Sequence, residues 1–380
     1  MKVKLDAVEK ELTKLWEAEQ AAALHGARVE LFTLVALVSD PKLLPRASDV
    51  MSKVVREHAC RTIAAVWKAG DKPEITADIG LHKNPDRKNE PCGDAVVLEA
   101  VGAAREWLPG NVERLLLPDL PACVWWVGDL PDDDDLFDLM VRRADVVIVN
   151  SSEMDLRDLS KLSEIAEASK DSYAFMDLTW VRLRSLQDLM ARFFDDPAVR
   201  PCLDTLSRVT LAFSPRDNET DVASTRVGLL LGWMGAALRL VPESAKWKKD
   251  DRGSEVTLDR EGGKPAVTLR FEHDKRQGVN DGAITHIDME CAAKDGGQAA
   301  KFQIARAPDD PKLTTWTSDV PGIVVPSQNV RIGAHDEARL LARSLERPAR
   351  DRLLDASLLS ASRILKQVAP RLSARPPRST

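Results

Sequence analysis

The feature that most constrains this chain is a rhythm of short, wholly apolar runs separated by segments of helical periodicity. The runs are "RVELFTLVALVSD", "RTIAAVWKA", "ACVWWVG", "DVVIVNS", "YAFMDL" and "RVTLAFS". A strand apolar at every position must be covered on both of its faces, which antiparallel sheets rarely need and parallel sheets with flanking helices require. Helical spacing fills the gaps: "ASDVMSKVVREHA", then Leu136, Leu139 and Met140, then Leu156, Leu159, Leu162 and Ile165. A long helix from Thr179 to Phe194 and another from Val222 to Leu240 follow. The alternation predicts an α/β domain, a mostly parallel sheet with helices on both faces. In such a sheet the adjacent Trp125 and Trp126 point to opposite sides, and the pair need mean nothing beyond core.

From Val241 the pattern changes. "SEVTLDR", "PAVTLRFEH", "AITHIDMEC" and "AAKFQIAR" alternate apolar with polar residues between Gly-rich turns. Val267, Leu269 and Phe271 oppose Thr268, Arg270 and Glu272; Thr285, Ile287 and Met289 oppose His286, Asp288 and Glu290. That is an antiparallel meander with one wet face. Two helices, Asp336 to Glu346 and Ala349 to Val368, are expected to cover it. The expected organisation is therefore an α/β domain over 1–241, a smaller α+β domain over 242–368, and a mobile basic tail over 369–380.

Charge narrows the function classes. The net charge is −6, and no basic stretch is interleaved with aromatic residues, so nucleic acid is not an expected partner. The N-terminal "MKVKLDAVEKELTKLWEAEQ" reads as an amphipathic helix carrying Leu5, Val8, Leu12, Leu15 and Trp16, not as a signal peptide. The apolar stretch Val227 to Val241 is shorter than the ~20 residues of a membrane span. No membrane association is expected. Five scattered cysteines, Cys60, Cys92, Cys123, Cys202 and Cys291, suit reduced thiols in a cytoplasm rather than a disulfide or zinc framework.

Tests for chemistry come out thin. No G-x-G-x-x-G or P-loop follows any strand, so no cofactor is expected. The run Asp132 to Asp135 has carboxylates at a spacing that can hold Mg²⁺ beside a phosphate. It equally begins a helix after Pro131, where negative charge favours the positive end of the dipole, and this second reading is preferred. His25, His58, His82, His273, His286 and His335 are dispersed without metal spacing, and no catalytic residue or metal site is assigned. Cys60 and Cys92 have no evident base nearby, and buried structural thiols are commoner than reactive ones. In "DLTWVRLRSLQDLMARFFDD", Asp177 closes a strand and Trp180, Arg182 and Arg184 crowd the first turn of a helix. Arginine there opposes the helix dipole. It suits either a bound phosphate or carboxylate, or a salt link from Arg182 to Asp177 or Asp119.

Three segments, "PDLPACVWWVGDLP", "RRADVVIVNSS" and "DLTWVRLRSLQDLMARFFD", in this order and spacing, resemble the glucose-6-phosphate dehydrogenase assembly protein family, OpcA. The matching positions are Asp119 through Trp126, Ala144 through Ser151, and Asp177 through Leu183. The resemblance implies a non-enzymic, cytoplasmic assembly factor and allosteric activator of glucose-6-phosphate dehydrogenase in the pentose phosphate pathway. The dehydrogenase is then the partner, with a sugar phosphate as a candidate effector. Because Trp and Arg dominate binding hot spots, the expected docking or effector surface is Asp119, Trp125, Trp126, Asp177, Trp180, Arg182 and Arg184. The rival reading is a metal-dependent enzyme acting on a sugar phosphate or nucleotide sugar through Asp132–Asp135 and Arg182.

Overall fold

The computed structural model describes residues 1–23, 28–88, 90–130, 135–170, 172–215, 224–250, 253–293, 299–310, 312–324, 326–332, 336–346 and 348–372. The helices are α1 Val8–Ala23, α2 Leu44–Glu57, α3 Leu108–Glu113, α4 Asp135–Val141, α5 Asp158–Ala168, α6 Leu178–Arg192, α7 Thr225–Leu238, α8 Glu337–Glu346 and α9 Arg352–Leu372. Among the described residues none is long and apolar enough to cross a membrane.

The chain forms two compact units that interleave in sequence. The first comprises Met1–Glu153, Ala168–Leu178 and His335–Asp351; the second comprises Met154–Glu167, Thr179–Ala334 and Arg352–Thr380. These bounds differ from a single cut after residue 241.

The first unit holds strands β1 Lys2–Val3, β2 Thr33–Val38, β3 Arg61–Lys68, β4 Glu74–Asn84, β5 Glu90–Val101, β6 Ala122–Val127, β7 Val146–Val149 and β8 Ala174–Asp177. They lie in the order β1-β4-β5-β3-β2-β6-β7-β8. From β5 to β8 every neighbouring pair is parallel, while β4 and β1 add an antiparallel edge. Numbered within the parallel set, the order is 3-2-1-4-5-6, that of doubly wound dinucleotide-binding sheets, with the switch point between β2 and β6. Every residue of β2, β6 and β7 is buried, as their unbroken apolar sequences require.

The second unit holds β9 Leu206–Phe213, β10 Lys246–Asp250, β11 Gly253–Leu258, β12 Val267–His273, β13 Ile284–Cys291, β14 Ala300–Arg306, β15 Leu313–Asp319 and β16 Gln328–Arg331. Their order is β10-β11-β12-β9-β13-β14-β15-β16, antiparallel except for β9 beside β12. The expected alternation is present: Val267, Leu269, Phe271, Thr285, Ile287 and Met289 are buried, and Thr268, Arg270, Glu272, His286, Asp288 and Glu290 face outward.

Three expectations need correction. Strand β9, "RVTLAFS", does not extend the parallel sheet but sits at the centre of the second one; an apolar run specifies a buried strand, not its partners. Helix α8 packs on α2 in the first unit, where Arg46 Nε donates to Glu337 Oε2 at 2.8 Å, instead of covering the meander. The C-terminal helix runs to Leu372, so the proposed tail loses its first residues to α9, and 373–380 lie outside the described residues.

Within the second unit α7 is capped by Ser224, whose Oγ accepts from Val227 N at 3.4 Å. It packs closely on α9. A Cβ at Gly232 would lie 2.1 Å from the Ser357 carbonyl and 2.8 Å from Ala361 Cβ, so only glycine permits that approach.

Candidate functional site

Ligands of doubly wound sheets bind beyond the carboxyl ends of the strands at the switch point, here the turns after β2 and β6. A dinucleotide needs a glycine turn that exposes free backbone N–H groups to its pyrophosphate. The turn after β2 reads Ser39-Asp40-Pro41-Lys42-Leu43. The Asp40 carboxylate accepts from Lys42 N at 2.9 Å, placing a negative charge where a phosphate would sit. Pro41 and Pro45 supply no N–H. Across the crevice Gly128 has φ 104°, and a Cβ there would lie 2.3 Å from Ser39 Oγ and 3.0 Å from Leu43 Cδ1. Ser39 also donates from N (3.2 Å) and Oγ (3.0 Å) to the Val127 carbonyl. The chain closes the switch point on itself, and its residues do not fit a dinucleotide.

Of the seven residues expected to form a docking surface, four are interior. Trp125 and Trp126 are 0% and 1% exposed, Trp180 2% and Asp177 0%. Trp126 donates its indole N–H to the Asp129 carbonyl at 3.0 Å and meets Phe137 edge-on, with ring centroids 5.2 Å apart. Trp125 points to the other face, and its Nε1 has no hydrogen-bond partner among the described residues. The Asp177 carboxylate accepts from Ser151 N at 3.1 Å and Ser151 Oγ at 2.6 Å, fastening the end of β8 to that of β7. These residues are therefore corrected from surface to core: a strand covered on both faces gives neither β6 indole access to solvent, Trp180 is buried in α6, and Asp177 is held by Ser151. Asp119 is exposed in a turn at φ 60°, Arg182 is half-buried, and Arg184 is exposed with its guanidinium 5.7 Å from the centroid of the Trp180 ring.

Two charge clusters of the first unit, one buried and one half-buried, escaped the sequence reading. One lies where β3 and β5 begin to pair. Asp94, 0% exposed, accepts from Trp16 Nε1 at 2.7 Å, from Arg61 Nε at 3.0 Å and from Arg28. Arg61, 1% exposed, also donates to both Glu9 oxygens and, at 2.9 Å, to the Leu115 carbonyl. Burial opposes ionisation of Asp94, but the Trp16 N–H and the two arginines hold its carboxyl below the ordinary range. Beside it, burial and the Asp94 charge push Glu30 up to about 7. His82 Nε2 lies 2.8 Å from Thr62 Oγ1, and burial lowers it to about 4.

The second cluster stands past the end of β7. Asn150 Nδ2 donates to Glu337 Oε1 at 2.9 Å and Glu153 Oε1 at 3.1 Å, while Arg46 binds both carboxylates. The available signal for the first cluster was a charge at the head of each of two largely apolar stretches, "RTIAAV" and "DAVVLEAV". The second joins residues far apart in sequence and left no local signal.

Burial pushes the Cys123 and Cys291 thiols up to about 12 and also raises those of Cys60 and Cys92. Asp132–Asp134 lie outside the described residues; Asp135 opens α4, as a helix-start reading requires. Among the described residues no group of three or more metal-ligating side chains converges.

Two family models match the chain, both of the "Glucose-6-phosphate dehydrogenase subunit" family. The model of its N-terminal domain covers residues 51–167, and the model of its C-terminal domain covers 173–358. Curated relatives include a "Putative OxPP cycle protein OpcA" of Synechocystis sp., 25% identical over 209 residues, which are 53% of this chain and 42% of the relative. One of the same description from Nostoc punctiforme is 27% identical over 212 residues, 54% of this chain and 43% of the relative. The matched stretch thus spans less than half of either relative. Among solved structures, an oxidoreductase from Sinorhizobium meliloti aligns with a TM-score of 0.49 at 10% identity, covering 90% of this chain and 98% of that one. Levoglucosan dehydrogenase aligns with a TM-score of 0.49 at 8% identity, covering 89% and 97%. Likenesses this distant carry nothing about activity.

Proposed function

Because the chain belongs to the glucose-6-phosphate dehydrogenase subunit family, we propose that it is a non-enzymic assembly factor and allosteric activator of that dehydrogenase, acting in the cytoplasm. The observation that carries this reading is the family match on both halves of the chain. The closed switch point supports it, since the place where a doubly wound sheet would do chemistry is occupied by Ser39, Leu43 and Gly128. Of the residues singled out in the sequence, Asp119, Arg182 and Arg184 are those a partner can reach.

An activator of this kind works only by binding the active form of its partner better than the inactive form. Each tenfold preference shifts the partner's equilibrium by about 1.4 kcal/mol. The test is the rate of the same organism's dehydrogenase against glucose 6-phosphate, with and without this chain. A saturable fall in KM or rise in kcat at near-stoichiometric addition is expected. An unchanged rate, with no complex on a sizing column, overturns the proposal.

A further inference from the structure

The face of β6 that carries Trp126 tapers toward the start of the strand. Positions 126, 124 and 122 on that face are Trp, Val and Ala. Trp126 fills the space beneath Phe137 of α4. Toward Ala122 the side chains shrink, and a cavity of about 410 Å³ remains between the sheet, α3 and α4. That is within the range of small ligand and anchor pockets. Its floor is Val35, Val124 and Met140, and Val112 of α3 forms a wall.

The rim is of another kind. Leu139 is 45% exposed there, and Arg142 and Arg143 stand beside it. Arg143 is paired with Glu113 at 3.0 Å, but both side chains are half or more in solvent. Such a pair is worth little and exchanges readily for another carboxylate. Arg142 has no ion-pair partner among the described residues. On either side along the chain an apolar residue stands exposed among charged ones: Trp107, two residues before the lining Pro109, is 50% exposed beside Glu106, and Leu120, beside Asp119, is 36% exposed. A pocket with an apolar floor and a charged rim, flanked by exposed Trp and Leu and edged by a pair of arginines, has the composition of an interface centre. In a chain of net charge −6 this rim carries two arginines against one glutamate.

We propose that this cavity receives the dehydrogenase, taking a segment of it that sets an apolar side chain beside a carboxylate. The apolar side chain enters over Val124 and Met140, and the carboxylate meets Arg142 and Arg143. This rests on the proposed function and names the surface that serves it. It also explains how the double-tryptophan strand serves docking without exposing an indole: Trp126 props up α4 and leaves the pocket beside it.

The test measures the affinity of the full-length chain for the dehydrogenase, with thermal melts of every variant. Leu139→Asp and the double variant Arg142→Glu/Arg143→Glu alter exposed side chains, and each should lose at least tenfold in affinity with an unchanged melt. Leu353→Asp, at a 55% exposed leucine of α9, should bind as the parent does. Parent-like binding by both cavity variants overturns the docking proposal while leaving the activator reading intact. Loss of binding by Leu353→Asp alone overturns it too, placing the contact elsewhere. If the parent chain itself forms no complex, the proposed function has failed first. Glucose 6-phosphate is the control probe. A rise in melting temperature with it alone, abolished in the double arginine variant, would make the cavity a small-anion site and overturn the docking proposal.

Discussion

The two sheets solve the same problem, burial of an eight-stranded layer, in opposite ways. In β6 all of Ala122 to Val127 is buried, whereas in β12 and β13 inward residues alternate with outward ones. The central strands of the first sheet, β2, β6 and β7, are covered on both faces; the second sheet leaves one face to an ion-pair lattice such as Arg208–Glu255 and Arg270–Asp250. A side chain therefore means different things in each. In the central strands of the first sheet an aromatic residue reports packing, whichever way it points, and Arg61 and Asp94 report a buried network. In the second sheet the outward charges pair with one another at the surface.

Substitutions sharpen this contrast. The largest loss is expected where a two-sided strand is emptied: Trp126→Ala should cost about 3–5 kcal/mol in urea unfolding, as large-to-small core changes do. Trp125→Ala should match it; a small cost at either would show that its face is open after all. Asp94→Ala should lose about 3–5 kcal/mol by the same measurement, because it strands Arg61 in the interior with one of its carboxylates gone. A loss below 1 kcal/mol, on the order of a surface pair, would mean that Glu9 and Glu30 suffice.

The same cluster gives a smaller, pH-dependent effect. Glu30 is raised from 4.5 to about 7, so the folded state holds its proton across that window, and stability falls as pH rises through it. His82 is lowered from 6.5 to about 4, so the unfolded state binds the extra proton, and stability rises with pH up to about 6.5. The two slopes oppose each other between about 4.5 and 6.5. The parent chain should be nearly flat there. Glu30→Gln should leave a rising profile and His82→Asn a falling one, read from denaturant midpoints at pH 5 and 6.5; parallel profiles would refute the pairing. The smallest effect belongs to the open sheet face. Lys301→Ala removes an exposed partner of Glu290 at 3.8 Å and should stay within about 0.5 kcal/mol.

Much of the architecture was legible in the residues. Unbroken apolar runs marked β2, β3, β6 and β7 as buried strands and located β8, and strict alternation marked β11 to β14 as half-wet. The short or polar strands were missed. β10, "KWKKD", carries one apolar residue, and β16, "QNVR", is held only by pairing with β15. At the candidate site the residues admitted both a core and a docking reading, and the burial of the tryptophans agrees with the core one. Asp177 looked like a ligand group and is a tether for Ser151; the tryptophans looked like hot spots and are core. A motif records that a residue type is needed and not which way its side chain faces a neighbour.

By itself the sequence determined the longer apolar and alternating strands, how many faces most of them bury, and the family to which the chain belongs, because periodicity and short motifs are local. Only the tertiary structure decided that β9 joins the second sheet, that α8 returns to α2, and that Asp94 and Arg61 share a buried site. It also decided that Ser39 meets Gly128 to close the switch point, and that the taper from Trp126 to Ala122 leaves a cavity open. Each of these depends on contacts between residues distant in the chain. Their energies are set by which surfaces fit when the whole is packed, and no local pattern encodes that.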